Sequence, residues 1–198
     1  CTDCEQGKSS AAGAADCSDC EVGKFQDLIG QGSCDSCSTG KVMATEGATA
    51  CTDCVPGKAQ GATGQSACDD CTAGTAAEAD GSSTCTKCPA GSVSEAEGAT
   101  ACTDGVPGKA QGATGQSACD DCAAGTAAEA DGATSCDTCA SGKHATSTAS
   151  TSCTDCEQGK SSAAGAADCS DCEVGKFQDL IGQGSCDSCS TGKVMATE

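Results

Sequence analysis

Tryptophan, tyrosine, arginine and asparagine are missing from this chain, and its 198 residues hold only two phenylalanines, three prolines and one histidine. Each gap excludes something. Without asparagine there is no N-glycosylation acceptor. Without arginine, and with ten lysines against 29 acidic residues, the formal net charge is −19, which argues against nucleic acid or anionic membrane as a partner. No run of 18 apolar residues occurs, so no helix in this segment is expected to cross a bilayer. The large apolar residues amount to seven Val, two Leu, two Ile, two Met and two Phe, too few for an ordinary core. Something covalent or metallic has to hold the chain.

What is present in quantity is cysteine, 23 residues arranged as C-x-x-C pairs. The pairs begin at Cys1, Cys17, Cys34, Cys51, Cys68, Cys85, Cys102, Cys119, Cys136, Cys153, Cys169 and Cys186, spaced by 17 residues except for two steps of 16. A fixed period of this length marks a tandem array. The repeats read C-x-x-C-x-x-G with few exceptions, usually followed by Lys or Thr and then by a second Gly four residues before the next pair. One pair is broken: Gly105 stands where the parallel repeat has Cys54, and the cysteine total is therefore odd. A longer period lies over the short one, because residues 1–46 recur unchanged as residues 153–198. The expected organisation is one long repeat of nine units over 1–152 and the start of the next over 153–198, in an excerpt of a longer, duplicating chain.

Two chemistries fit the pairs. In one, a disulfide joins the second Cys of a pair to the first Cys of the next, each loop removing about 3 kcal/mol of unfolded-state entropy. In the other, two successive pairs supply four thiolates to zinc. A four-thiolate zinc site is itself anionic, and a series of them on a chain already at −19 favours the disulfides. The sequential scheme treats every repeat alike. It predicts Cys4–Cys17, Cys20–Cys34, Cys37–Cys51, Cys54–Cys68, Cys71–Cys85, Cys88–Cys102, Cys122–Cys136, Cys139–Cys153, Cys156–Cys169 and Cys172–Cys186. Cys1 and Cys189 would bond outside the excerpt, and Cys119 is widowed by Gly105, which makes it a candidate link between chains. So many disulfides imply an oxidising compartment, extracellular or at a cell surface.

Within one repeat, Pro56-Gly57 is turn chemistry, Lys58–Gln60 can run extended, Gly61–Gly64 forms a second turn and Gln65–Ala67 returns. The fold class expected is small and disulfide-rich: an elongated linear array of hairpins and turns with almost no helix and no globular core. The Gly six residues after each leading Cys recurs in every repeat, which points to a positive φ or a close chain approach there.

The pattern C-x-x-C-x-x-G-[KT]…G-x-x-x-C resembles the ephrin-receptor-like cysteine-rich repeats and, more distantly, the modules of tumour-necrosis-factor receptors. The resemblance covers all twelve repeats and implies an extracellular chain, poor in regular secondary structure and stacked end to end through disulfides. Long arrays of this kind are similar to those in surface and flagellar-hair filament proteins of protists and algae. The chain departs from the pattern after Gly-Thr, where relatives usually carry an aromatic residue and this sequence has Ala, as in Gly74-Thr75-Ala76.

No catalytic constellation is found, and the chain is read as a non-enzyme. His144, the only imidazole, is expected to be solvent-exposed, without a nucleophile or metal partner. Acidic residues between paired cysteines could bind Ca²⁺ weakly, but no EF-hand or nonapeptide motif is present, and turn solvation is the default reading. Val22, Phe25, Leu28 and Ile29, with Val174, Phe177, Leu180 and Ile181 in the second copy, form the one sizeable apolar group, expected to dock a neighbouring chain or, alternatively, to serve as a local core. The numerous Ser and Thr leave O-linked glycan open. The functional expectation is a structural extracellular protein, a homopolymer of copies of itself building a filament, sheath or hair. The alternative is a cysteine-rich ectodomain that recognises a ligand.

Overall fold

A computed structural model describes residues 1–191. Among them there is no helix, and all strand is confined to eleven two-stranded antiparallel sheets made of two-residue strands. Lysine, threonine or, at Ser92, serine after the repeat's first Gly opens one strand, and the two residues after the next leading Cys form the other. Thus Lys58–Ala59 pairs with Asp69–Asp70, with Lys58 opposite Asp70 and Ala59 opposite Asp69.

The returning strand therefore differs from the one read from sequence. It lies beyond Cys68, whereas Gln65–Ala67 stays in the loop. The reason is local. Gln60 is buried and folds over the loop: its Nε2 donates to Ala67 O at 2.9 Å, and its Oε1 accepts from Ala62 N at 3.0 Å. Those backbone groups are spent on the glutamine and cannot enter a ladder.

The chain divides into two compact bodies. The first comprises Cys1–Cys88, Ser94–Thr103 and Gly115–Ser117; the second comprises Pro89–Val93, Asp104–Thr114 and Ala118 onward. In the first body, disulfides join Cys4–Cys17, Cys20–Cys34, Cys37–Cys51, Cys54–Cys68, Cys71–Cys85 and Cys88–Cys102. In the second they join Cys122–Cys136, Cys139–Cys153, Cys156–Cys169 and Cys172–Cys186. All ten hold their Cα atoms 5.5–5.7 Å apart, in the ordinary range for such bridges.

The core is sulfur and alanine. In the first body Cys20, Cys37, Cys54, Cys71 and Cys88 are fully enclosed, with Ala59, Ala76 and Ala77 beside them; in the second, Cys122, Cys139 and Cys156 are enclosed with Ala127, Ala128 and Ala145. Each buried half-cystine is also tied through its backbone. Cys54 N donates to Gly40 O at 2.8 Å, and Cys54 O accepts from Gly81 N at 2.7 Å. The same two bonds recur along each body, as at Cys71 and at Cys156. A small core thus suffices because covalent bonds and a repeated backbone ladder support it.

Two rows of glycine make the close stacking possible. The first-row residues, Gly7 to Gly175, have φ of 77–87°. A Cβ on Gly7, Gly40 or Gly57 would lie against the carbonyl oxygen of Gly47, Gly81 or Gly98, about 40 residues on. In the second body Gly91 meets Gly132 and Gly142 meets Gly182 in the same way. Only glycine satisfies both the left-handed backbone and the approach.

Candidate functional site

Three places depart from the regular repeat. The first is Gly105 and Cys119. Gly105 N donates to Gly91 O at 2.9 Å and Gly105 O accepts from Gly132 N at 2.7 Å, the bonds a half-cystine makes elsewhere. A Cβ on Gly105 would lie 2.5 Å from Cys119 Sγ, so that sulfur points at the position where its partner is lacking. The ladder holds its register there without a staple. Cys119 and Cys189 are half-buried and Cys1 is exposed, and none of the three forms a disulfide.

The second place is the apolar group around Phe25. Val22 lies on the turn before the strand Lys24–Phe25, and Leu28 and Ile29 lie on the loop after it, 58% and 63% exposed. Phe25 behaves differently: half-buried, it bounds a cavity of about 440 Å³ together with Asp35, Lys41 and Cys51. In the copy, Val174, Leu180 and Ile181 are likewise exposed, while Phe177 is 38% exposed. In the first copy the group is thus divided between an aromatic ring beside the next disulfide and aliphatic side chains facing outward, whereas in the second Phe177 is exposed with the others.

The third place is His144. It is half-buried rather than exposed, and its Nδ1 lies 3.0 Å from Cys169 Sγ. The cause is the stacking: in three of the Lys-containing strands the second residue faces a sulfur 25 residues later. Ser9 Oγ reaches Cys34 Sγ at 3.3 Å and Ser161 Oγ reaches Cys186 Sγ at 3.3 Å by the same geometry. The nitrogen of His144 and the sulfurs of Cys156 and Cys169 all lie within 4.8 Å, but both sulfurs are joined to each other and offer no thiolate to a metal.

Residues that the sequence reading passed over complete the picture. Gln26, Gln111 and Gln178 repeat the clamp of Gln60, each donating from Nε2 to a backbone oxygen seven residues on, at 2.9 Å. Their shared offset of nine residues from the leading Cys was the available signal. Cross-strand ion pairs such as Lys8–Asp19 and Lys58–Asp70, both at 2.7 Å, line the hairpins. They are well exposed and contribute little to stability. Hydrogen bonding to Asp121, and then its charge, raises the pKa of Lys109 above the ordinary lysine value.

A disulfide-closed hairpin, repeated with one register and one backbone ladder, defines a cysteine-rich tandem-repeat protein. The model of the tyrosine-protein kinase ephrin type A/B receptor-like family matches residues 7–54 and 159–198, so over these segments the chain is similar to that family. The repeats between them are built on the same hairpin and ladder. A comparison with curated proteins gave no match. Repeats of this type and disulfides in this number point to an extracellular module with a structural or binding task. Among the described residues no helix is long and apolar enough to cross a membrane.

Proposed function

We propose that this chain is a structural extracellular protein whose disulfide-stapled repeats build a homopolymeric filament, sheath or surface hair. The observation that carries the reading is the recurrence, in each body, of one contact set from repeat to repeat. Second-row glycine bonds to the buried half-cystine, first-row glycine packs on a later carbonyl, and the hairpin closes on the next pair. Such a set extends by adding more of the same, which is what a polymer needs and a unique binding surface does not. The exposed Leu28, Ile29, Leu180 and Ile181 supply apolar area for contact between copies.

Sedimentation velocity and electron microscopy of the oxidised chain across a concentration series test the proposal. Concentration-dependent polymers are expected, weakened by the joint substitution L28S, I29S, L180S, I181S with all ten disulfides retained. A monodisperse monomer at every concentration would overturn it. The matched receptor-like family favours a second reading, a ligand-binding ectodomain. A monomer that captures one extracellular ligand at fixed stoichiometry would support that reading instead.

A further inference from the structure

The Cys156–Cys169 bridge differs from the other nine in one respect: an imidazole rests on its accessible sulfur. His144 Nδ1 is 3.0 Å from Cys169 Sγ, whereas the same stacking position is serine at Cys34 and Cys186. Cys156 is fully buried, and Cys169 is half-buried at the edge of an open cavity of about 270 Å³. That cavity is lined by His144, Asp155, Glu157, Lys160 and Asp168. Asp155 is paired with Lys143 and Lys160 with Asp171, which leaves Glu157 and Asp168 as the carboxylates at the rim without a lysine partner.

From this arrangement we infer that Cys156–Cys169 is the exchange-active disulfide of the array, reacting with a small cationic thiol through Cys169. The buried sulfur is closed to attack, so the incoming thiolate meets Cys169 Sγ. The S–S bond breaks, its electron pair goes to Cys156 Sγ, which takes up a proton, and a mixed disulfide forms on Cys169. A second molecule of the same thiol then attacks the outer sulfur of that mixed disulfide. The electron pair now returns to Cys169 Sγ, which receives the Nδ1–H hydrogen bond of His144 as it becomes a thiolate. In sum, one protein disulfide and two small thiols yield two cysteine thiols and one small-molecule disulfide. A hydrogen bond to Cys169 Sγ stabilises the thiolate that leaves in the second step, so the mixed disulfide on Cys169 is resolved faster than one without the imidazole. The acidic rim attracts a cation and repels an anion.

Cysteamine is a suitable probe. The oxidised chain is exposed to limiting cysteamine, quenched with acid and mapped by mass spectrometry. Once formed, the mixed disulfide on Cys169 should be resolved to the free thiol by further cysteamine about tenfold faster than that on Cys34 or Cys186, the scale of one charge-assisted hydrogen bond. H144S places at 144 the residue that two other repeats already tolerate there, and should bring Cys169 down to the rate of Cys34 and Cys186. S161H should raise Cys186 by a similar factor in an otherwise native chain. Equal rates of resolution at Cys169, Cys34 and Cys186 in the native protein, or no gain at Cys186 in S161H, would overturn the inference.

Discussion

At the scale of single residues, the fold depends on backbone shapes that side chains resist. Ala149 is the residue that breaks the rule: it occupies the second glycine row with φ of 56°, the one positive-φ non-glycine residue described, and its carbonyl still receives Gly108. Replacing it with glycine relieves a left-handed alanine, so A149G should raise stability by about 1 kcal/mol, read as a higher midpoint in thermal unfolding of the oxidised chain. G57A should do the reverse and by more, since a methyl there also meets the carbonyl of Gly98. Q60A removes a buried clamp and exposes two backbone groups to dry surroundings; a loss of about 1–3 kcal/mol is expected in the same measurement. The glycine rows were legible because a residue type recurred at a fixed offset. The clamp was not, because glutamine fills that offset in only some repeats and elsewhere gives way to Ser, Met or Ala.

Single repeats obey a different constraint, set by loop closure. The bridges Cys4–Cys17 and Cys156–Cys169 span 13 residues and the others 14, yet the Cα separations stay at 5.5–5.7 Å; the loop absorbs the extra residue and the ladder does not feel it. Gly105 tests how much of the repeat's order is covalent. G105C places a sulfur-bearing Cβ beside Cys119, and closure of that loop should add about 3 kcal/mol against unfolding. A thiol assay should then find Cys119 consumed while Cys1 and Cys189 remain free. For the apolar group, F25S opens the cavity beside Cys51 and should make the loop around Cys37–Cys51 a preferred site of proteolysis. If association weakened and protease resistance held, the ring would belong to an intermolecular contact. The hairpin as an element was legible from its turn residues. Its returning strand was not, since Asp69–Asp70 looks solvent-loving in sequence and earns its place only through pairing with Lys58–Ala59.

For the whole molecule, the pairing register is the property most open to direct measurement. Non-reducing peptide mapping should recover the ten sequential bridges, with Cys119 either alkylated or linked to another chain; a Cys102–Cys119 peptide would show that the register is wrong. What no local reading of the sequence could supply is contact between repeats that are not neighbours, such as His144 on Cys169 or Gly7 on the carbonyl of Gly47. Those distances follow from how hairpins stack, and no propensity encodes them. The approach of Gly7 to Gly47 also has a kinetic side. A ribosome releases the chain from one end, so a repeat waits more than two periods of synthesis for the carbonyl that completes it. The cysteines of each repeat are therefore exposed to oxidants before their surroundings are finished, and correct bridging depends on translation outpacing oxidation.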